Sequence, residues 1–267
     1  MSSRFCYWSV GTGAYCDLLH SMVASARQVG VTEDFHLWTD REVPGAICHP
    51  AGRFDNWGWL FKLVFLRRDV ARLNYDYFVY LDSDNWFVRR PADPLQILGG
   101  APMHATLEAD LTRPLEVPVW WDYPASTFVN LFRRAGVRHA SIHNINGGMF
   151  IVRRAAIEVL YQLAAGFWRF CRDQGVLCVD EPLISYAMHM LCDHPEKHTL
   201  SRTHSFWATD ANAAFAQRLP DGRPFRFTGF HRQYDCLVDP AIVHLVRGKD
   251  PLFAYAQKLR QAPALAA

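Results

Sequence analysis

A run of five apolar and aromatic residues, Tyr77 to Leu81, leads directly into the polar triplet Asp82-Ser83-Asp84. The run shows no polar alternation, which is typical of a strand buried on both faces of a mostly parallel sheet. Such strands carry their chemistry at their carboxyl ends. The pattern therefore predicts a central strand that ends on two carboxylates. Further apolar runs predict strands at residues 5–10, 35–39, 46–49, 101–106, 142–146, 149–152, 225–230 and 241–246.

Between these predicted strands, apolar residues recur at helical spacing, for example at Leu18, Met22 and Ala26. The spacing predicts helices at residues 14–30, 57–71, 126–135, 154–172 and 180–191, a helical turn at 95–98 and a closing helix that ends near residue 261. Residues 111–124, with the pair Trp120-Trp121, are predicted to form a long irregular loop. The alternation of strands and helices indicates one α/β domain, and 267 residues fit such a domain.

Composition narrows the class of protein. Half of the residues are hydrophobic, which is enough for a large core, and the formal net charge of +2 is too small to indicate a nucleic-acid partner. The seven cysteines contain no Cys-x-x-Cys pair, so we expect reduced thiols in a cytoplasmic protein. No signal segment or membrane span is apparent, so we expect a soluble chain, with a peripheral membrane contact left open. The sequence does not indicate an oligomeric state.

Asp82 and Asp84 are the first candidates for chemistry. With Ser83 between them, the two carboxylates can converge on one hard cation, which prefers oxygen ligands and leaves positions open for phosphates. The alternative is structural: one carboxylate caps a turn and the other is solvated.

The predicted first strand is followed by Gly11-Thr12-Gly13 and a helix, an arrangement typical of nucleotide-binding folds. It lacks the third glycine of the dinucleotide fingerprint. Tyr15 at the start of the helix can stack on a base or simply pack. Lys62 is placed to reach a ligand at the sheet edge, although helical spacing alone favours a solvated lysine.

Three later segments carry further candidates. Gly147-Gly148 allows a close backbone approach to a ligand, or a bulge. Asp180-Glu181 opens a helix, where acidic residues complement the dipole or project into a cleft. Trp120-Trp121 belongs either to the core or to a platform for a sugar ring. Near the end of the chain are His244, Gly248 and Lys249. Their imidazole, glycine backbone and ammonium group could together bind a diphosphate. The alternative is a hydrogen-bonded structural histidine and a surface lysine.

Together these segments resemble the metal-dependent glycosyltransferases of the GT-A fold, and within it the glycogenin-like retaining enzymes. The resemblance covers most of the chain and rests on SVGTGAYCDLLHSMVASARQ, YFVYLDSDNWFV, Asn146 to Phe150, Asp180-Glu181, and His244 with Gly248, Lys249 and Pro251. It implies a single GT-A type domain over residues 1–267. Residues 1–90 would form a Rossmann-like nucleotide-binding half, and residues 91–267 a donor-sugar and acceptor half with a metal-binding C-terminal segment.

The resemblance and the residue patterns together assign site residues. The expected nucleotide and donor contacts are Val10, Thr12, Tyr15, Lys62, Asp82, Ser83, Asp84, Asn146, Gly147, Gly148, Gly248 and Lys249. The expected metal ligands are Asp82, Asp84 and His244, and the expected catalytic carboxylates are Glu181 and Asp180. Mn²⁺ or Mg²⁺ would be the cofactor and a UDP-sugar the donor, while the acceptor could be a glycan, a lipid-linked glycan, a protein or a small molecule.

One departure leaves two assignments open. In the family pattern the glycine follows the histidine by three residues and the lysine by six, whereas Gly248 and Lys249 follow His244 by four and five. The runs VDEPLIS, HTLSRTHSFWATD and RPFRFTG also resemble the blood-group-type α-galactosyl and N-acetylgalactosaminyl transferases. In that alignment Arg232 competes with Lys249 for the diphosphate, and Glu181 becomes the candidate nucleophile or cation stabiliser. Both relatives transfer sugar with retention of configuration.

The sequence therefore predicts a metal-dependent, retaining hexosyltransferase. Two alternatives come from other classes of protein. The first is a non-catalytic protein that binds nucleotide sugars or glycans. The second is a phosphatase of the haloacid dehalogenase type, which also ends a buried strand on Asp-x-Asp but usually close to its first strand.

Overall fold

The computed structural model describes residues 4–52, 60–113, 118–197, 206–209, 229–231, 236–238, 240–245 and 249–261. Within these ranges the strands are β1 (Phe5–Val10), β2 (Phe35–Thr39), β3 (Ile47–Pro50), β4 (Tyr77–Leu81), β5 (Asn85–Phe87), β6 (Met103–Asp110), β7 (Val119–Trp120), β8 (Tyr123–Pro124), β9 (His143–Arg153), β10 (Phe206–Thr209), β11 (Gly229–His231), β12 (Cys236–Val238) and β13 (Ile242–Leu245). The helices are α1 (Tyr15–Gln28), α2 (Phe61–Arg68), α3 (Pro94–Leu98), α4 (Ala125–Arg134), α5 (Ile157–Asp173), α6 (Asp180–Leu191) and α7 (Asp250–Gln261).

The central element is a six-stranded sheet with the strand order β3-β2-β1-β4-β9-β6. β1 and β2 are parallel, as are β2 and β3, whereas β6 and β9 run antiparallel at one end of the order. All five residues of β4 are buried, as the apolar run from Tyr77 to Leu81 predicts. The fold is α/β, with a mostly parallel sheet flanked by helices.

The chain divides into two compact units. The first unit contains residues 5–52, 79–93 and the described residues from 206 onward. Besides β1, β2 and β3 it contains a small sheet in which β5 pairs with β13 and β13 with β10. Helix α1 buries one face there, because its apolar residues recur at helical spacing. The buried cluster around it consists of Leu18, Trp86, Val88, Val243, Leu245, Leu252 and Tyr255.

The second unit contains Arg4 and residues 60–78 and 94–197. Its framework is the antiparallel pair β6 and β9, together with α5 and α6. The two strand pieces expected at 142–146 and 149–152 are in fact one strand, β9. The glycine pair lies where its pairing with β6 shifts: Ala105 is opposite Phe150, whereas the next residue, Thr106, is opposite Asn146. The bulge foreseen as one of two readings of Gly147-Gly148 is therefore present.

Several other predictions differ from the structure at element boundaries. The helix expected at 57–71 is described as α2 followed by a 3₁₀ turn at Val70–Arg72, and residues 57–59 lie outside the described ranges. The loop expected at 111–124 contains the hairpin of β7 and β8. Of the strand expected at 225–230, only residues 229 and 230 are described. No helix in the described part of the chain has the length and hydropathy needed to cross a membrane.

Candidate functional site

The turn after β4 carries Asp82-Ser83-Asp84 and is fixed by hydrogen bonds to its backbone carbonyls. The Asn85 side-chain amide donates to the Asp82 carbonyl at 2.8 Å, and the Leu245 N–H donates to the Asp84 carbonyl at 3.0 Å. His244 is directly opposite Asn85 in the pairing of β13 with β5. This strand pairing places His244, which is distant in sequence, next to the carboxylates of the turn.

Asp82, Asp84 and His244 form a group whose ligand atoms all lie within 4.8 Å of one another. His244 Nε2 is 2.9 Å from Asp84 Oδ1 and 3.9 Å from Asp82 Oδ2. Within the described part of the chain, no hydrogen bond of acceptable direction reaches Asp84 Oδ1, despite its short distance to the imidazole. Carboxylate oxygens and an imidazole nitrogen are both suitable ligands for a borderline divalent cation. The three residues therefore fit a divalent cation.

Lys249 adds a positive charge to this group. Its Nζ lies 2.5 Å from Asp84 Oδ2 and 6.0 Å from the centre of the Tyr15 ring. Burial raises the pKa of Asp84, but its interactions with His244 and Lys249 outweigh that effect and hold the pKa below its usual range. Burial likewise lowers the pKa of Lys249, but its attraction to Asp84 raises the pKa above the ordinary value. Both groups are charged at neutral pH. Gly248 and Arg232 lie outside the described residues.

A cavity of about 420 Å³ opens where β1, β2 and β3 end, and Thr12 is in its wall. Tyr15 is exposed at the start of α1, whereas Val10 is buried at the end of β1. Asp40 also lines the cavity, and its carboxylate accepts hydrogen bonds from the Cys16 thiol at 3.0 Å and from the Gly13 N–H at 2.8 Å. These two donors hold the pKa of Asp40 below its ordinary value.

Asp40 is missing from the residues expected from the sequence. A signal was available, because Asp40 directly follows the predicted strand at 35–39 just as Asp82 follows β4. A carboxylate at this position can accept hydrogen bonds from the N–H and O–H groups of a bound ligand.

The second unit contains a separate polar cluster around Asp180, the first residue of α6. Lys62 Nζ lies 2.6 Å from Asp180 Oδ2 and 3.4 Å from the Gly147 carbonyl oxygen. Only 6% of the Lys62 side chain and 8% of the Asp180 side chain is exposed. The prediction from helical spacing alone, that Lys62 is solvated, is therefore wrong, because Lys62 forms a buried ion pair.

Glu181 follows Asp180 and is held from two sides. Its Oε1 accepts from the Gly147 N–H at 2.9 Å, and its Oε2 accepts from the Trp121 indole N–H at 2.8 Å. A Cβ atom on Gly147 would lie 2.9 Å from Glu181 Cγ, so only glycine allows this approach. The absence of a side chain on Gly147 thus makes room for Glu181.

Asn146 is buried beside this cluster. Its side-chain oxygen accepts from the Gly148 N–H at 2.9 Å, and its side-chain nitrogen donates to Glu108 Oε1 at 3.1 Å. These bonds tie the bulge of β9 to β6 next to the carboxylate of Glu181.

Burial, together with the negative charges of Glu108 and Asp180, raises the pKa of Glu181 to about 8. The Gly147 and Trp121 donors oppose this shift because they stabilise the carboxylate. The pKa of Glu181 is therefore well above that of an ordinary carboxyl group, a property common in functional sites.

Comparisons with known proteins bear on the fold. No family profile matches this sequence, and no curated protein matches it either. Among solved structures, the chain is similar to the apo structure of WbbM, a bifunctional glycosyltransferase, with a TM-score of 0.57 and 11% identity. The match covers 93% of this chain and 46% of that chain, so the chain spans less than half the length of that protein. The chain therefore has a fold found in a known glycosyltransferase, and its α/β class is as predicted.

Proposed function

We propose that the chain is a metal-dependent glycosyltransferase, which moves a hexose from a UDP-sugar to an acceptor hydroxyl with retention of configuration. The observation that carries the proposal is the convergence of Asp82, Asp84 and His244, with Lys249 beside them. The similarity of the fold to a glycosyltransferase and the resemblance of the motifs to retaining enzymes support it.

The first unit would bind the nucleoside diphosphate. The cavity beside Thr12 and Asp40 has room and hydrogen-bond acceptors for a nucleoside. A divalent cation, Mn²⁺ or Mg²⁺, held by Asp82, Asp84 and His244 would supply Lewis-acid stabilisation of the leaving diphosphate. Lys249 would place its ammonium charge on the same phosphates, in exchange for part of its contact with Asp84.

Sugar transfer would also need a carboxylate beside the sugar carbon. As the bond to the leaving group breaks, the sugar carbon gains positive charge, as in glycoside hydrolysis. Asp180 is already paired with Lys62 at 2.6 Å, whereas Glu181 is held by two neutral donors and no cation is among its described contacts. In its ionised form, Glu181 therefore has a negative charge available for the sugar carbon. We therefore assign to Glu181 the role of stabilising the cation, and to Asp180 and Lys62 the role of holding the start of α6.

Binding of the donor is expected to require both the metal and His244. A ligand that binds only the native state raises the unfolding free energy by about 2.7 kcal/mol at 100 times its Kd. Thermal unfolding in the presence of a panel of nucleotide sugars should show the largest stabilisation with a UDP-sugar and Mn²⁺ together. The His244→Ala variant should lose the Mn²⁺-dependent part of the stabilisation, whereas His194→Ala, which removes an exposed histidine, should retain it. Equal stabilisation with and without Mn²⁺ would refute the proposed metal site.

A further inference from the structure

The hairpin formed by β7 and β8 has an unusual turn. Its two loop residues, Trp121 and Asp122, have φ angles of 48° and 65°, and within the described ranges they are the only non-glycine residues with positive φ. A two-residue hairpin loop with both φ angles positive is a type I′ turn, in which Asn-Gly is the usual pair. A bulky residue such as Trp is costly there, so the surrounding structure must hold the turn in place.

The surrounding structure does hold the hairpin. Trp120 is buried and its ring packs edge-on against Phe128 of α4, with ring centres 4.9 Å apart. Tyr123, on the other strand, contacts the same ring at 6.0 Å, and its hydroxyl accepts from the Leu177 N–H at 3.0 Å. The turn is therefore braced on both strands.

The consequence of this turn is the hydrogen bond from the Trp121 indole to Glu181 Oε2 at 2.8 Å. The indole N–H can donate and cannot accept, so it favours the charged carboxylate over the acid. The Gly147 N–H binds the other carboxylate oxygen at 2.9 Å. The two donors come from different elements, and together they fix the plane of the carboxylate.

We propose that Trp121 is a positioning residue, whose indole N–H favours the charged form of Glu181 and holds its carboxylate in one orientation for sugar transfer. The inference rests on the proposed function, because Glu181 is the carboxylate assigned to the sugar there. The strained turn is the part of the structure that delivers the indole to that carboxylate.

The charges around Glu181 determine the direction of the expected effect. Glu108 on β6 and Asp180 on α6 both disfavour its ionisation, and Lys62 on α2 is paired with Asp180. The donors that favour the carboxylate are the Gly147 N–H and the Trp121 indole. Removing the indole N–H leaves one donor against two negative charges, so the pKa of Glu181 should rise above its value of about 8.

The test is the Trp121→Phe variant, which keeps an aromatic ring and removes the N–H. Carboxyl carbon NMR of protein labelled at glutamate, assigned with Glu181→Gln, should show the pKa of Glu181 rising by about one unit, the scale of a hydrogen bond to a charged group. The rise of kcat with pH should move upward by the same amount, with little change in KM for the donor. Trp120→Phe is the matched control, since it removes an indole N–H one residue earlier and should leave the pKa unchanged.

If Trp121→Phe folds poorly, benzothienylalanine at position 121 keeps the bicyclic shape without the N–H and should give the same shift. An unchanged pKa of Glu181 in these variants would overturn the proposal, as would a shifted pKa with an unshifted kcat profile. The NMR titration needs no turnover, so an unshifted pKa overturns the positioning role alone and leaves the proposed function standing. A wild-type chain without sugar transfer refutes the proposed function and the positioning role with it, while the coupling of Trp121 to Glu181 is still measured.

Discussion

Replacing Asp84 with Asn is expected to lower metal-dependent turnover of a nucleotide sugar by roughly 1,000-fold, a scale set by the several kcal/mol that a bound cation contributes to charge stabilisation. We expect a large effect at Asp84 because its buried carboxylate contacts both His244 and Lys249. The amide keeps the shape of the side chain but has one fewer anionic oxygen for the cation. It also leaves the Lys249 charge without its partner.

The effect should be specific to this carboxylate. Asp173→Asn makes the same chemical change at an exposed residue and should leave turnover unchanged. Metal-dependent turnover, followed by release of the nucleoside diphosphate at several Mn²⁺ concentrations, distinguishes weaker metal binding from slower chemistry. Full activity of Asp84→Asn at any Mn²⁺ concentration that saturates the wild type would contradict the assignment of Asp84 as a metal ligand.

Replacing Lys62 with Met is expected to lower the free energy of unfolding by about 3–5 kcal/mol, because it leaves the Asp180 carboxylate buried without its partner. Urea denaturation at pH 7 measures this loss. The double variant Lys62→Met, Asp180→Leu should recover most of it, since it removes both charges and replaces them with apolar side chains.

An exposed ion pair between Arg67 of the same helix and Glu158 of α5 provides the comparison. Arg67 and Glu158 are 2.7 Å apart, but 44% and 57% of their side chains are exposed. Arg67→Met should cost at most about 1 kcal/mol, because solvent screens such pairs. If Lys62→Met cost no more than Arg67→Met, the ion pair with Asp180 would not hold the start of α6 as described.

The sheet and the carboxylates of the turn were readable from the sequence for a simple physical reason. A strand buried on both faces must be apolar throughout, so the run from Tyr77 to Leu81 stands out, and polar residues at its end mark the edge where ligands bind. Thr12 was expected from the family resemblance of the segment after β1, and it lies in the wall of the cavity there. For His244, imidazole chemistry and the family resemblance indicated the residue but not its position. Its short distance to Asp84 depends on the pairing of β5 with β13, which the sequence did not predict.

The residues that local patterns misread depend on contacts between segments far apart in the chain. Helical spacing marks Lys62 as solvated, because nothing near it in sequence reveals that Asp180 will face it in the fold. The turn at Trp121 has no glycine or asparagine to signal left-handed backbone, so the loop prediction missed the hairpin. Gly147 shows both meanings of a glycine in a strand: it lies in a bulge, and it allows Glu181 to approach.

The most direct test of the proposed function follows the donor itself. Proton NMR of the wild-type chain with a UDP-sugar and Mn²⁺, with water or a sugar as acceptor, records the anomeric protons of donor and product over time. We expect the donor signal to decay and a product with the configuration of the donor to appear first, and we expect both changes to stop when EDTA removes the metal. Decay of the donor at the same rate with EDTA, or no decay with any nucleotide sugar, would contradict a metal-dependent glycosyltransferase.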